Sequence, residues 1–182
     1  MKPISFRTPD YKNLVCYQKA EAVYDITSLF CSRYLSTKDR TYDQMIQAAR
    51  SGKQNIAEGQ AAMPTSMESC LKLINVAKAS LHELLADYED YLRTHELKRW
   101  DENTPEFRQI RELGRTHNDA AFYCSLAEQY DAEQIANMAI IVIKQTDYLL
   151  YRLLEKIHQM FVEQGGFREQ LSHERKTQRK RD

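Results

Sequence analysis

The sequence predicts an all-α fold: an antiparallel four-helix bundle with a short helical insertion between helices three and four and a basic C-terminal tail. The 182 residues include only five Gly and four Pro, too few for many short strands and tight turns. Four long segments repeat apolar residues every three or four positions, the period of a helix with one buried face. This length suits one domain with a sizeable core.

Helices one and two are predicted over residues 10–34 and 42–58. The first begins with an aspartate suited to an N-cap, and Asp39 or Thr41 is expected to cap the second. Gly59 is expected to end helix two as a left-handed C-cap. The apolar stripe of helix one comprises Cys16, Ala20, Val23, Ile26, Phe30 and Tyr34.

Helix three carries the most regular stripe of the chain. Thr65 and Glu68 have the spacing of a capping box and are expected to open it. The stripe comprises Met67, Leu71, Ile74, Ala77, Leu81, Leu84, Tyr88 and Tyr91. The insertion, residues 94–130, is predicted to hold short helices at about 105–113 and 120–128, with Trp100 and Phe107 anchoring it on the bundle.

Helix four is predicted from the capping residue Asp131 to about Gln164. Its apolar face is wide, because a second stripe lies about a third of a turn from the first. The two stripes contain Ile135, Ala139, Val142, Thr146, Leu149, Leu153, Ile157 and Met160, and Ile143, Leu150, Leu154 and Phe161. So wide a face favours extra cover from the insertion or a neighbouring subunit. Residues 1–164 form the predicted bundle domain, and 165–182 a suffix, helical or disordered.

Charge is unevenly distributed along the chain. Lys and Arg number 26, as do Asp and Glu, so the net charge is zero. The tail from Gln164 is +3 and the preceding body −3. The tail cations are Arg168, Arg175, Lys176, Arg179, Lys180 and Arg181. They predict contacts with RNA or DNA phosphates, and a solvated end that only aids solubility is the alternative.

A sequence signature lies at the end of helix two. Residues 51–59 read S-G-K-Q-N-I-A-E-G, which resembles the S-x-x-x-N-I-A-E-G signature of the bacterial four-helix-bundle family of 23S rRNA intervening sequences. That family includes the accessory variability protein of diversity-generating retroelements. Residues 44–49 and 77–84 are similar to its flanking Q-x-x-x-A-A and A-x-x-S-L-x-E-L segments, and residues 165–169 to a suffix on some members. Gly52 and Lys53 depart from its pattern, which has an apolar residue and Pro there.

The resemblance implies a homo-oligomer, a five-fold barrel, which in the retroelement branch binds reverse transcriptase and nucleic acid. The matching signature residues are Ser51, Asn55, Glu58, Gly59, Ser80 and Glu83. Asn55 and Glu58 share a helix face, so we interpret the signature as a structural lock to helix three or to the loop after Gly59. Direct contact with a ligand or nucleic acid is the alternative.

The sequence offers no catalytic constellation. Glu155 and His158 have the spacing of half a di-iron motif, but the second copy is absent, so we expect no metal and no cofactor. Four widely spaced cysteines, without a Cys-x-x-Cys pair, favour buried thiols, a reduced compartment and a cytoplasmic location, and disulfide pairing is the alternative. No apolar run is long enough to span a bilayer. The cysteines are Cys16, Cys31, Cys70 and Cys124.

Two functions remain open, neither of them enzymatic. The first is a homo-oligomeric adaptor that binds RNA or DNA through its basic tails. The second is a protein-interaction scaffold without nucleic-acid binding, whose partner surface is the insertion around Trp100 and Phe107. A metalloenzyme that uses His158 is a distant third.

Overall fold

The computed structural model describes residues 10–179, and the regular structure within that range is helical, with no strand. A 3₁₀ turn at Tyr11–Asn13 precedes the α-helices. These are α1 (Val15–Tyr34), α2 (Arg40–Ala62), α3 (Met67–Thr94), α4 (Pro105–Thr116), α5 (Ala120–Glu128), α6 (Ala132–Gln164) and α7 (Phe167–Gln178). The all-α prediction is confirmed.

Most helix starts follow the expected capping chemistry. Asp39 accepts a hydrogen bond from the Thr41 amide, and Asp131 forms a capping box with Gln134. Thr104 caps α4, its side chain accepting from the Phe107 amide. Helix one was expected to begin at Asp10. Asp10 instead caps the 3₁₀ turn, and α1 begins at Val15.

The expected cap of helix three is wrong by one residue. Ser66, not Thr65, caps α3, accepting from the Ser69 amide at 3.1 Å. The Thr65 hydroxyl instead donates to the Ala62 carbonyl at 3.2 Å. Thr65 therefore satisfies a carbonyl at the C-terminal end of α2, where the last carbonyls lack partners within the helix.

The expectation for Gly59 is also wrong. Gly59 lies inside α2, which continues to Ala62, and among the described glycines only Gly165 has a positive φ. A Cβ on Gly59 would lie 3.2 Å from Ile74 Cδ1, and one on Gly52 would lie 2.8 Å from Leu81 Cδ2. Both glycines, two turns apart, therefore let α2 approach α3 closely.

The four long helices surround one core. α1 packs against α2 and α6, and α3 packs against the same two helices. The central stripe residues of the predicted helices are fully buried, among them Val23, Ile74 and Leu81. α5 lies on α1, and α4 lies on α6.

The wide apolar face of α6 is fully buried in its first half and less completely covered in its second. Every residue from 135 to 143 is buried, since α1, α3 and α4 all pack against this helix. In the second half, Tyr148, Tyr151, Phe161 and Val162 are exposed, Val162 to 68%. The insertion thus supplies part of the predicted cover, and the second half of α6 keeps exposed aromatic and aliphatic side chains among charged ones.

The connection from α3 to α4 is fixed by a buried amide. Asn137 of α6 accepts from the Trp100 amide at 2.8 Å and donates to the Lys98 carbonyl at 2.8 Å. Trp100 and Phe107 are both buried, which confirms them as anchors of the insertion. A partner surface on this insertion must therefore use other side chains.

The suffix forms a helix where the structure describes it. Gly165 ends α6 with φ +72°, a conformation that favours glycine, and α7 follows. Glu169 accepts from the Gly166 amide at 2.8 Å, at the start of α7. The predicted site residues Lys180 and Arg181 lie outside the described residues.

Candidate functional site

Three groups of residues qualify as a site, beginning with the family signature. The Ser51 and Ser80 hydroxyls are hydrogen-bonded at 2.9 Å and join α2 to α3. Asn55 donates to the Ser51 carbonyl at 2.9 Å and to its hydroxyl at 3.1 Å. Glu58 and Glu83 are exposed. The two serines therefore connect α2 and α3, whereas Asn55 bonds only Ser51 of its own helix and both glutamates face solvent, so the expected lock does not run through Asn55 and Glu58.

The second group is the basic end of α7. Arg175, Lys176 and Arg179 are exposed, and Arg175 lies one helical turn from Arg179. Arg168 lies in the first turn of the same helix. Cations in the last turn also stabilise α7 itself, because the C-terminal end of a helix carries partial negative charge. The structure thus presents Arg175 and Lys176 in the last turn of α7 and Arg179 directly after it.

The third group, which sequence interpretation missed, lines a cleft between α1, α4 and α6. This cationic cleft has a volume of about 700 Å³. Four cations line it, and one carboxylate, that of Glu102. The cations are Lys19, Arg111, Arg115 and Lys144. Its apolar lining comes from Val15, Phe107, Ile141, Tyr148 and Leu149.

Lys19 is the most unusual residue of the cleft, being only 3% exposed. Its Nζ donates to the Gly114 carbonyl at 2.6 Å, the Gln145 Oε1 at 3.2 Å and the His117 carbonyl at 3.4 Å. All are neutral oxygens, and no carboxylate among the described residues forms an ion pair with this ammonium. Burial lowers the pKa of the Lys19 ammonium to about 8.

Those contacts give Lys19 a structural task. The Gly114 and His117 carbonyls belong to the C-terminal end of α4, where a cation is favoured. A Cβ on Gly114 would collide with the carboxamide of Gln145. Glycine at this position therefore allows Gln145 to lie beside the ammonium, and Lys19 fastens the insertion to α1.

The burial of Lys19 could have been predicted from the helical periodicity of the sequence. It follows Cys16 by three residues and precedes Val23 by four, so it lies within the apolar stripe of helix one. A lysine at such a position must find acceptors inside the fold. The acceptors come from α4 and α6, about 100 residues away, and no local pattern identifies them.

The remaining candidates do not form a reactive site. The four cysteines are free thiols, and three are buried. Burial raises the thiol pKa of Cys16 and Cys70 to about 11 and that of Cys31 to about 12, which disfavours the nucleophilic thiolate. Glu155 accepts from the Tyr151 hydroxyl at 2.7 Å, and His158 is exposed. In residues 10–179, no cluster of three or more His, Cys, Asp or Glu could hold a metal ion.

Fold and surface together define the class: an all-helical protein with a basic terminal helix and a cationic cleft. Within the described chain, no helix combines the length and apolarity needed to cross a membrane. Comparisons with protein-family models, curated proteins and solved structures found no match to this chain.

Proposed function

We propose that this chain is a non-enzymatic, cytoplasmic adaptor that self-associates and binds RNA or DNA through its basic C-terminal helices. The observation that carries the proposal is the exposure of Arg175, Lys176 and Arg179 at the end of α7, beyond a body of net charge −3. Exposed cations attract phosphates, while the acidic body repels them. The helix therefore concentrates the attraction at one end of the subunit.

Self-association is part of the same proposal. The packing of α1, α2, α3 and α6 around one core supports an antiparallel four-helix bundle as the subunit. On the second half of α6, a neighbouring subunit can cover the exposed side chains of Tyr151, Phe161 and Val162. A pentamer is the assembly that the family resemblance implies. Several basic helices in one particle bind a polyanion together, which raises avidity even though each helix binds as before.

The test is fluorescence anisotropy with a structured RNA and a duplex DNA over a salt series. We expect micromolar or tighter binding that weakens steeply with salt, and a markedly lower affinity in the variant R175Q/K176Q/R179Q. The slope of log K against log salt should fall by about 0.9 for each DNA phosphate that the variant no longer neutralises.

The matched control removes three exposed cations from the body, as K38Q/R50Q/R108Q. Both variants lose the same charge, so only the position of the cations differs. Equal loss of affinity in the two variants would show that binding depends on net charge and not on the position of the cations. Absence of binding even at low salt would remove nucleic acid from the proposal and leave the protein-interaction scaffold.

A further inference from the structure

We propose that the cationic cleft between α1, α4 and α6 binds a small organic anion, a carboxylate or phosphate attached to a flat apolar group. This site is separate from α7 and does not depend on the nucleic-acid proposal. The inference rests on the charge, the shape and the rigidity of the cleft.

The charge of the cleft favours an anion. Four cations and one carboxylate line the cleft, and Arg115 is paired with Glu112 at 3.2 Å. The other three cations form a local excess in a body whose net charge is −3. Arg111 and Lys144 are exposed, and neither has an ion-pair partner among the described residues. In the same cleft, the Lys19 ammonium is surrounded by neutral acceptors. An anion held by Arg111 and Lys144 would supply the missing countercharge.

The shape favours a small molecule over a polymer. A volume of about 700 Å³ lies within the range of small-molecule sites, and three helices border the cleft. Its apolar residues include Val15, 41% exposed, and Tyr148, 58% exposed. A flat apolar group would cover these side chains while its charged end contacts the cations.

The polar side of the cleft is already held in place. Gln145 accepts from Lys19 at 3.2 Å and donates to the Arg111 carbonyl at 2.9 Å. These bonds join α1, α4 and α6 around the cleft. A site whose helices are fixed in advance loses less entropy when the ligand binds.

The proposal is tested by isothermal titration calorimetry of the full chain with four matched probes. 1-Naphthyl phosphate and 1-naphthoate carry the two anionic groups on one ring system. 1-Naphthol keeps the ring without the charge, and inorganic phosphate keeps the charge without the ring. We expect at least one naphthyl anion to bind at least tenfold more tightly than naphthol and phosphate, and the better one identifies the preferred head group.

Substitutions then locate the site. The variant R111Q/K144Q should weaken binding of that anion at least tenfold, and Y148A should weaken it without changing the weak affinity for phosphate. Arg108 lies on α4 outside the cleft, so R108Q is the control and should bind as the parent does. Arg111 and Lys144 are exposed, so their replacement leaves the core intact, which circular dichroism verifies.

Three results would overturn the proposal. One is that neither naphthyl anion binds at millimolar concentration. Another is that naphthol binds as tightly as both anions, which would indicate an apolar crevice without charge recognition. The third is that R111Q/K144Q and R108Q have equal affinities, which would place the anion elsewhere, including on α7. Whether the α7 variant loses RNA binding has no effect on these three results. The anion-binding proposal and the nucleic-acid proposal can therefore be refuted independently.

Discussion

At the scale of single residues, buried polar side chains hold the insertion in place. Asn137 is fully buried and bonds the Trp100 amide, the Lys98 carbonyl and the Glu133 carbonyl. The first two groups belong to the connection after α3. Removing the amide would leave both without their partner, a larger cost than a surface hydrogen bond carries.

We expect Asn137→Ala to lower the free energy of unfolding by about 3 kcal/mol, measured by urea denaturation. Asn75→Ala is the control, because Asn75 is exposed on α3 and its side chain bonds only the Leu71 carbonyl of its own helix. That change should cost less than about 0.5 kcal/mol. Equal costs for the two variants would contradict the role given to Asn137.

Lys19 makes stability depend on pH in a defined direction. Its pKa in the folded chain is about 8, below the ordinary value of 10.5. Between these values the unfolded chain keeps the proton that the folded chain releases, so the free energy of unfolding rises with pH. Buried cysteines act oppositely above pH 9, because burial raises their pKa.

The difference between the parent and Lys19→Met isolates this effect, since the cysteines are common to both. From pH 8 to 9 we expect the parent to gain stability relative to the variant, by at most about 1.4 kcal/mol per pH unit. Chemical denaturation at half-unit intervals of pH measures the difference. A parallel pH dependence in the two proteins would show that Lys19 titrates normally.

At the scale of helices, the most extensive contact is between α2 and α3. A Cβ at position 52 would collide with Leu81, and one at position 59 would crowd Ile74. The sequence places a glycine near a helix end, and local chemistry favours a C-cap there. Gly59 instead packs against α3 inside the helix, and α2 ends three residues later, where the turn bonds of Met63 and Thr65 follow.

Gly59→Leu should therefore push α2 away from α3 and lower the free energy of unfolding by about 2 kcal/mol or more. Ala61→Leu is the matched control, because residue 61 is exposed on the same helix. We expect the control to change stability by less than about 0.5 kcal/mol. If Gly59→Leu were tolerated equally well, the glycine would have no packing role.

Sequence periodicity predicted the elements better than their ends. The long helices follow their stripes, because apolar side chains three or four residues apart must face one core. Thr65 and Ser66 offer similar caps, so the turn after α2 decides between them. The cationic cleft was not predictable from local patterns, since Lys19, Arg111 and Lys144 meet only when three distant helices pack.

At the scale of the whole molecule, the exposed half of α6 makes the oligomeric state testable. Tyr151 is 50% exposed and Val162 68%. Placing two carboxylates on this face would oppose any apolar contact between subunits. We expect Y151E/V162E to lower the particle mass toward the 21.4 kDa of one chain.

Light scattering measures the mass, with Gln159→Glu as the control, because Gln159 is an exposed polar residue of the same helix. The parent should exceed the mass of one chain at micromolar concentration. A parent that scatters as a single chain would refute self-association. A parent oligomer that persists in Y151E/V162E would place the interface on another face.

The distribution of the four thiols makes the chain its own reporter of local opening. Cys16 and Cys31 lie in α1 and Cys70 in α3, all buried, whereas Cys124 in α5 is half-buried. A thiol reagent reacts only when a sulfur reaches solvent, so its rate at each site measures how often that segment opens. Cys124 should be modified first, and the three core thiols only through larger openings. The order of modification would then record, without any substitution, how loosely the insertion is attached to the long helices.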